Sequence, residues 1–446
     1  MASIQVHIRT RRQEMEGFGV SGAWWAQHLG QWQESETDQL LKWLFSQEEG
    51  IGLSIYRYNI GAGSGDEIQD DWRRSRTMEI AEGEYDWSRD AAAITMMKRA
   101  VGYGARQIVA FANSAPARMT RSGMTSGNPD SGRSNFAPGM ERQFARYLVD
   151  IVRYLREEEG LPVEWLSPIN EPMWLWHNAG YGQEGCHYTP EENVNVLRAV
   201  AEEIASRGLD VKISALEAGE WTSARMYYYK LEADPDLLAR IDNISLHSYV
   251  PHVTNEVYRE ELAQYIGSSK PGMKLWMSEW TEMQGGQDYT MESALELARV
   301  LHDDLVYGQV TSWQYWIAVS RYDFRDGLVY LNETDRSLRD TKRLWVLGQY
   351  SKFIRPGFTR LEAIAEHGGL KVTAFMRGDA EVVFVVINDG DEDILSTIDH
   401  ALAGSIQATI VVTSEQQNMD TVHVGALPGT WLFGARSVTT IVIKSI

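Results

Sequence analysis

Short apolar runs alternate with longer amphipathic stretches from about residue 15 to residue 350 of the chain. A short apolar run bounded by Gly or Pro is typical of a strand buried on both faces, and the longer stretches are typical of helices. The alternation therefore predicts parallel β/α units rather than a meander. We predict eight strands, at residues 16–19, 53–58, 107–112, 163–167, 211–215, 243–247, 274–278 and 312–316. Eight such units close into a (β/α)8 barrel, which we place at residues 15–350.

Two of the stretches between these runs carry clear helix signals. Residues 140–157 and 190–207 are amphipathic at helical spacing. Thr189 can cap the first turn of the second stretch, and Pro190 stands at the first helical position, where its missing N–H is harmless.

The pattern changes after Arg355-Pro356-Gly357 to apolar and polar residues in alternation. We predict strands at residues 372–375, 381–386, 408–412 and 437–443, which favours an antiparallel β domain. The strand-like residues 4–8 precede the barrel, and we assign them to the same domain. The sequence thus predicts a β-sandwich side domain made of residues 1–14 and 351–446.

Charge and composition narrow the class of protein. The formal net charge of −20 disfavours nucleic acid as a partner, because phosphate binding uses a surplus of Lys and Arg. It also disfavours, without excluding, an anionic substrate. No apolar run approaches the roughly 18 residues that indicate a membrane helix. We therefore predict a globular protein without a membrane span.

Cysteine use and the start of the sequence bear on the compartment. Cys186 is the only cysteine, and residues 1–7 contain neither a basic nor an apolar segment of the kind found in signal peptides. These features predict a cytoplasmic protein. Secretion, with a signal removed from the sequence in hand, is the alternative.

Residues 17–22 fit the dinucleotide pattern G-x-G-x-x-G, but their context does not. The preceding residues 11–16 are too polar for a central Rossmann strand, and Trp24 and Trp25 are too bulky to lie against a pyrophosphate. The 10 histidines show no metal-binding spacing. We therefore predict neither a cofactor nor a metal ion.

Two glutamates each follow a predicted strand. Glu171 stands between Asn170 and Pro172 after the fourth strand, and Glu279 follows Ser278 at the end of the seventh. The carboxyl ends of parallel strands meet at one mouth of a barrel, so the two acids should lie close together. Paired carboxylates at one mouth are what glycosidases use.

The neighbours of the two glutamates suggest different roles for them. Trp174 and Trp176 would surround Glu171 with apolar groups, which raise the pKa of a carboxyl as a general acid requires. Glu279 would need to stay ionised to act as a nucleophile, and hydrogen bonds from Arg57 or Tyr249 would favour the ionised form.

His247 ends the sixth predicted strand and stands at the same mouth. One interpretation is that it orients a carboxylate or the substrate; the other is that it packs as an ordinary core residue.

Motifs spread over the whole chain occur in a characteristic order. They are Met15-Glu16-Gly17-Phe18-Gly19, Tyr56-Arg57-Tyr58-Asn59-Ile60-Gly61, Ser167-Pro168-Ile169-Asn170-Glu171-Pro172, Met277-Ser278-Glu279 and Ala435-Arg436-Ser437-Val438-Thr439-Thr440. As an ordered set they resemble glycoside hydrolase family 30, a family of retaining (β/α)8 glycosidases.

The resemblance implies a barrel fused to a β-sandwich, with Glu171 as acid/base, Glu279 as nucleophile and no cofactor. It also implies that Asn170 contacts the sugar 2-hydroxyl, that Arg57 and Tyr249 support the nucleophile, and that Trp316 floors the subsite of the scissile sugar. The candidate substrate-binding residues are accordingly Arg57, Asn113, Asn170, Trp174, His247, Tyr249 and Trp316.

Other segments bear on the substrate. Residues 113–119 depart from the family pattern, with small or basic residues where many members have Pro-Pro and an aromatic residue, so sugar contacts at Asn113 should differ. Residues 24–26 and 183–188 look most like members that act on β-1,6-linked galactan. Arg321 and Arg325 either read an acidic substituent, as in relatives that cut glucuronoxylan, or pair with Asp323 and Asp326; the net charge favours pairing.

The sequence therefore predicts a retaining β-glycosidase that hydrolyses a β-linked poly- or oligosaccharide, with β-1,6-galactan as the first candidate. One alternative keeps the chemistry but changes the substrate to a β-glucoside, a β-xyloside, xylan or glucosylceramide. Another is a carbohydrate-binding protein that kept the fold and lost catalysis. A retaining mechanism requires the two carboxyl groups to lie about 5–5.5 Å apart. Endo or exo action and the oligomeric state stay open.

Overall fold

The computed structural model of the chain describes residues 2–130, 134–176, 182–249, 256–400, 402 and 404–445. Its strands, in chain order, are β1 (Ala2–Glu14), β2 (Gly17–Ser21), β3 (Ile55–Asn59), β4 (Glu79–Ala81), β5 (Glu84–Tyr85), β6 (Gln107–Phe111), β7 (Val163–Ser167), β8 (Lys212–Ala218), β9 (Ile241–His247), β10 (Lys274–Glu279), β11 (Ser312–Tyr315), β12 (Ile317–Ser320), β13 (Gly327–Asn332), β14 (Ser337–Asp340), β15 (Thr359–Ala365), β16 (Leu370–Arg377), β17 (Glu381–Asn388), β18 (Ile394–Asp399), β19 (Ile406–Thr413), β20 (Asp420–Gly425), β21 (Trp431–Phe433) and β22 (Ser437–Ser445).

Among the described residues, the helices in chain order are α1 (Trp25–Leu29), α2 (Glu34–Phe45), α3 (Ala91–Tyr103), α4 (Glu141–Glu157), α5 (Pro190–Arg207), α6 (Trp221–Glu232), α7 (Pro235–Leu238), α8 (Glu256–Ser269), α9 (Met291–Val306) and α10 (Lys342–Ser351). Short 3-10 helices cover Asp71–Arg73, Trp87–Asp90 and Ala117–Met119. The predicted cap of α5 is present, because the Thr189 side chain accepts a hydrogen bond from the Glu192 N–H and Glu192 reaches back to the Thr189 N–H.

Eight strands close into a barrel in the order in which they occur along the chain, namely β2, β3, β6, β7, β8, β9, β10 and β11. Each predicted barrel strand coincides with one of them, which confirms the (β/α)8 prediction. Their residues are almost all buried, as expected of a parallel sheet covered by helices. This is why the barrel strands read as continuous apolar runs.

The barrel interior contains a layer of large side chains from β3, β6, β7 and β10. Ile55, Val109, Trp165 and Trp276 form one buried cluster, with the two indole rings 4.9 Å apart. Successive side chains of a strand alternate between its faces, so the residue two positions further along each strand points the same way. On β3, β7 and β10 those residues are Arg57, Ser167 and Ser278. A polar layer therefore covers the apolar layer at the carboxyl ends of these strands.

A separate nine-stranded sheet has the order β20-β19-β22-β17-β16-β15-β1-β18-β21. It confirms the predicted antiparallel β domain, with one difference: β1 pairs antiparallel with β15 but parallel with β18. Alternate residues of its strands form an apolar core, among them Ile4, Leu361, Val382, Phe384, Ile410, Ile441 and Ile443.

The chain forms two compact units, Met1–Phe18 with Lys42–Ser54 and Thr281–Ile446, and Gly19–Leu41 with Ile55–Trp280. The predicted domain boundaries at residues 15 and 350 stay a prediction. Within the described part of the chain, no helix is both long and apolar enough to cross a lipid bilayer.

Candidate active site

Glu171 stands in a tight turn that follows β7. Its φ of 42° lies in the left-handed region, which a non-glycine residue adopts only when its surroundings enforce it. Two hydrogen bonds hold the turn: the Glu171 N–H donates to the Glu217 carbonyl (2.9 Å), and the Trp176 indole N–H donates to the Glu171 carbonyl (3.1 Å). The Glu171 side chain is thereby fixed at the barrel mouth, and the residue is only 6% exposed.

Glu279 is the last residue of β10 and is also buried. Arg57 donates from Nη1 to Oε2 of Glu279, and the Tyr249 hydroxyl donates to Oε1 at 2.7 Å. Each carboxylate oxygen thus accepts a hydrogen bond, one of them from a cation. Both interactions hold the carboxylate in a fixed position, as a nucleophile needs.

The two glutamates meet as predicted. One oxygen of Glu171, one oxygen of Glu279 and a ring nitrogen of His247 all lie within 4.8 Å of one another. Retaining glycosidases hold their two carboxyl groups about 5–5.5 Å apart, whereas inverting enzymes need about 6.5–9.5 Å to admit a water molecule between them. The close approach fits the retaining geometry.

The pKa of Glu171 is raised, first because burial disfavours the charged form and also because Glu279 places a second negative charge beside it. Hydrogen bonds from His247 and from the Trp174 side chain act in the opposite direction without reversing the shift. A carboxyl that keeps its proton near neutral pH can act as a general acid.

His247, the last residue of β9, lies between three carboxylates. Its Nδ1 is 3.1 Å from Oε1 of Glu171 and 3.6 Å from Oε1 of Glu279, and its Nε2 is 3.0 Å from Oε2 of Glu217. Burial opposes the charged ring, but Glu279, Glu171 and Glu217 outweigh it and raise the pKa of His247 to about 10. This shift favours the charged ring, which can donate from both nitrogens.

The sequence reasoning missed Glu217. This residue lies on β8, it is 0% exposed, and its carboxylate joins Arg57, His247, Ser167 and Ser278. Burial opposes its ionisation, but the Arg57 charge and the hydrogen bonds lower the pKa of Glu217 to about 2. A signal was present: as at Glu279, an acid ends an apolar strand, here just before Ala218-Gly219. The predicted strand stopped at Ala215, so Glu217 fell outside it.

The other predicted site residues in the same unit are placed as follows. Asn170 accepts a hydrogen bond from Arg57 Nη2 through its side-chain oxygen (3.0 Å), which leaves its amide nitrogen as a donor. Trp174 is half-buried and bonds to the Glu171 carboxylate. Asn113 is buried but bonds to Asn59 (3.2 Å) rather than to either carboxylate.

Trp316 directly follows β11 and is buried. It belongs to the other compact unit, and its role at the site stays a prediction. In that unit Arg321 pairs with Glu333 (2.9 Å), and Arg325 pairs with Glu282 (2.7 Å) and Asp288 (3.6 Å). Carboxylates thus engage both arginines, and pairing with Asp323 or Asp326 stays a prediction.

Glu171, His247 and Glu279 carry the donor types that metal ions use. A metal ligand must offer a lone pair, so a coordinating histidine has to be neutral. His247 instead points both of its ring nitrogens at carboxylates, and its pKa is raised to about 10. The donor set therefore fits a network of charged hydrogen bonds better than a metal site.

The barrel and its paired carboxylates define a glycoside hydrolase, and its substrate is a carbohydrate. The family model described as O-Glycosyl hydrolase family 30 matches residues 1–330, so the chain belongs to glycoside hydrolase family 30. This confirms the resemblance noted in the sequence.

Known proteins of this family are similar over most of the chain. The endo-beta-1,6-galactanase of Hypocrea rufa is 25% identical over 430 residues, which cover 90% of this chain and 84% of that protein. Glucuronoxylanase XynC of Bacillus subtilis (strain 168) is 22% identical over 453 residues, 99% of this chain and 92% of that protein.

Among solved structures, a conserved exported protein from Bacteroides fragilis superposes with a TM-score of 0.87 at 26% identity, over 99% of this chain and 100% of that one. The catalytic domain of a family 30 xylanase from Talaromyces cellulolyticus has a TM-score of 0.80 at 22% identity, with the same coverage. The similarity to the Talaromyces cellulolyticus structure supports the fold of this chain.

Proposed function

We propose that this glycoside hydrolase works by retaining double displacement, with Glu279 as nucleophile and Glu171 as acid/base. The observation that carries the proposal is the separation of the two carboxylates, whose nearest oxygens lie within 4.8 Å of each other. Their surroundings support the division of roles: Arg57 and Tyr249 bond to Glu279, whereas the pKa of Glu171 is raised by burial.

In the first step, an Oε of Glu279 forms a bond to the anomeric carbon while the bond from that carbon to the leaving oxygen breaks. Glu171 gives its proton to the leaving oxygen, so the aglycone departs as an alcohol. In the second step, Glu171, now a carboxylate, takes a proton from water as the water oxygen attacks the anomeric carbon. The ester bond to Glu279 breaks, and the sugar leaves with its β configuration retained.

The remaining candidates have supporting roles in this proposal. Asn170 donates its amide N–H to the sugar 2-hydroxyl, since Arg57 already occupies its side-chain oxygen. Trp174 keeps the Glu171 carboxylate oriented, and Trp316 floors the subsite of the scissile sugar. Asn113 contacts the sugar at a point farther from the two carboxylates.

The substrate we propose is a β-1,6-linked galactan or its oligosaccharides. The support comes from the similarity to the galactanase of Hypocrea rufa and from residues 24–26 and 183–188, which look like those of members with that activity. A glucuronoxylan is disfavoured, because carboxylates of this chain already engage Arg321 and Arg325.

The location of the protein also stays a proposal. The cytoplasm is the first candidate, and the similarity to an exported protein supports the secreted alternative. Immunoblotting of cytoplasmic and extracellular fractions would decide between the two.

The substrate proposal is tested by mass spectrometry of the products from β-1,6-galactan, β-1,6-glucan, glucuronoxylan and aryl β-glycosides. We expect the largest turnover on β-1,6-galactan, and no products from the Glu279→Gln variant. Preferred cleavage of glucuronoxylan or β-1,6-glucan would keep the mechanism and overturn the substrate. Binding without cleavage of any member of the panel would favour the carbohydrate-binding alternative.

A further inference from the structure

The strand β8 is distorted at the residues that carry Glu217. Its pairing with β9 skips one residue between Leu216 and Ala218, so Glu217 is the extra residue of a bulge. Leu216 and Glu217 have φ values of 80° and 46°, in the left-handed region. This conformation is unfavourable for residues other than glycine, and bulges beside active sites serve to re-aim a side chain. The distortion therefore indicates that the direction of the Glu217 side chain matters.

The bulge brings the Glu217 carboxylate to four donors from four other strands. Arg57 Nη2 on β3 lies 3.4 Å from the carboxylate, and His247 Nε2 on β9 lies 3.0 Å from it. The Ser167 hydroxyl on β7 donates to it at 2.8 Å. The Ser278 hydroxyl on β10 donates to the same oxygen that His247 approaches. All of these groups are buried. A carboxylate that accepts this many bonds from fixed donors is held both in place and in its charged form.

Glu217 does not contact the Glu171 carboxylate directly. Two links join them: the His247 ring, whose two nitrogens bond to one glutamate each, and the backbone bond from the Glu171 N–H to the Glu217 carbonyl. An effect of Glu217 on the reaction would therefore pass through the imidazole or through the turn that holds Glu171.

The charges of Arg57, His247 and the three glutamates indicate how Glu217 would affect the reaction. The groups that face His247 are Glu217, Glu171, Glu279 and the Tyr249 ring, whose hydroxyl donates to Glu279. Arg57 adds a second positive charge beside Glu217 and Glu279. When Glu217 and Glu279 are ionised, they balance Arg57 and the imidazolium without help from Glu171. If Glu217 were neutral, a negative charge on Glu171 would have to replace it to keep His247 charged, so ionisation of Glu171 would be favoured.

We propose that Glu217 is a positioning residue whose permanent negative charge holds His247 as an imidazolium and leaves the catalytic proton on Glu171. The proposal rests on the proposed role of Glu171 as acid/base. It assigns Glu217 no contact with the substrate and no covalent step.

The kinetic test compares Glu217→Gln with two controls. Glu217→Asp keeps the charge. Glu220→Gln removes a nearby carboxylate whose side chain makes no hydrogen bond or ion pair among the described residues. Removal of a negative charge lowers the pKa of a neighbouring acid, so the basic limb of the kcat/KM profile should move down by about one pH unit in Glu217→Gln. Glu217→Asp should restore part of the shift, and Glu220→Gln should leave the profile unchanged.

A leaving-group series separates this effect from a general loss of structure. Departure of dinitrophenolate needs no proton, whereas departure of a sugar alcohol does. At about pH 8, Glu217→Gln should lose roughly tenfold more activity on a substrate with a poor leaving group than on a dinitrophenyl β-glycoside. Equal losses on both substrates, with an unshifted pH profile, would overturn the proposal.

A second measurement needs no variant and so does not depend on whether Glu217→Gln folds. In protein labelled with 15N-histidine, one ring should show both nitrogens protonated at about pH 8, where an unperturbed histidine is neutral. Absence of such a ring would overturn the proposal whatever the kinetics show. Inactivity of the wild-type enzyme on every substrate would count against the proposed function alone, because the NMR result does not depend on turnover.

Discussion

The barrel mouth and the core of the nine-stranded sheet both contain buried side chains, but of different kinds. The sheet core contains aliphatic and aromatic residues at alternate strand positions, such as Val382, Phe384 and Ile441. The barrel mouth buries an arginine, a histidine and three glutamates within one network. Burial of charges costs free energy unless each is paired, whereas burial of apolar groups stabilises the fold. The comparison suggests that the sheet core serves stability and the mouth serves chemistry.

The backbone is regular in the nine-stranded sheet and irregular at the barrel mouth. The pair β17–β22, at the centre of the sheet, keeps one register over all eight of its residue pairs. At the mouth, Glu171, Leu216 and Glu217 adopt left-handed conformations, and the pairing of β9 with both β8 and β10 is irregular at its carboxyl end. Strained backbone is retained where it places a functional group, and each irregularity here lies next to a carboxylate of the network.

The largest expected effect comes from truncating the two catalytic candidates. Glu279→Ala and Glu171→Ala should each lower kcat by roughly 10⁴-fold on substrates that need acid assistance, because each removes a group that acts in the transition state. Azide should rescue them differently. With an activated substrate, Glu279→Ala should yield the α-glycosyl azide and Glu171→Ala the β-glycosyl azide, both identified by NMR. The opposite pair of products would reverse the assigned roles.

A substitution in the sheet core should instead affect stability. Phe384→Ala removes a ring that is 0% exposed and should lower the free energy of unfolding by about 3–5 kcal/mol, measured by urea titration. Phe384→Leu is the matched control, with a smaller loss. The kcat/KM of the folded fraction should stay near the wild-type value. A large loss of kcat/KM without loss of stability would contradict the division between the two regions.

The buried charges of the compact unit made of Gly19–Leu41 and Ile55–Trp280 predict how the free energy of unfolding depends on pH. The pKa of Glu217 is lowered to about 2, so its contribution is present above its ordinary pKa and is lost as the pH falls toward 2. The pKa of His247 is raised to about 10, so its contribution is present below its ordinary pKa of 6.5 and is lost as the pH rises toward 10. Burial raises the pKa of Asp90 to about 7 and of Glu184 to about 8, which also destabilises the fold as these acids ionise.

The free energy of unfolding should therefore be largest at about pH 5 and fall by a few kcal/mol on each side. Urea titrations at a series of pH values measure this curve. In Glu217→Gln the decline on the acid side should become shallower. A wild-type curve that is flat from about pH 3 to pH 9 would contradict the assigned charges.

The smallest of these effects is expected at Gly219, which lies against the catalytic acid. A Cβ at this position would lie 2.6 Å from Nε1 of Trp174 and 2.8 Å from Oε1 of Glu171, both closer than van der Waals contact. Gly219→Ala should displace the acid by a few tenths of an ångström and lower kcat by roughly 10- to 100-fold. Gly208→Ala is a control for stability alone, since a Cβ there meets no atom within 4 Å but φ is 61°. Unchanged kcat in Gly219→Ala would show that the acid tolerates movement.

The sequence predicted the parts of this structure that follow from local pattern. All eight barrel strands and five of the nine strands of the separate sheet could be read from apolar runs and from alternation. The contacts suggested for Arg57 and Tyr249 match hydrogen bonds to Glu279. Glu217 was missed although an acid stands at the end of its apolar strand, because the predicted strand stopped at Ala215. The bulge with two left-handed residues that aims its side chain has no signature in the order of side-chain types. The partners of Arg321 and Arg325 depend on how distant loops meet, which the sequence order also does not show.

In the proposed mechanism, two carboxylates at the barrel mouth act by double displacement. ¹H NMR of the first products, recorded before mutarotation, distinguishes this mechanism from inversion. Wild-type enzyme should release a reducing sugar in the β configuration from a β-glycoside. Release of the α anomer would show an inverting reaction and would contradict both the role of Glu279 as nucleophile and the interpretation of the carboxylate separation.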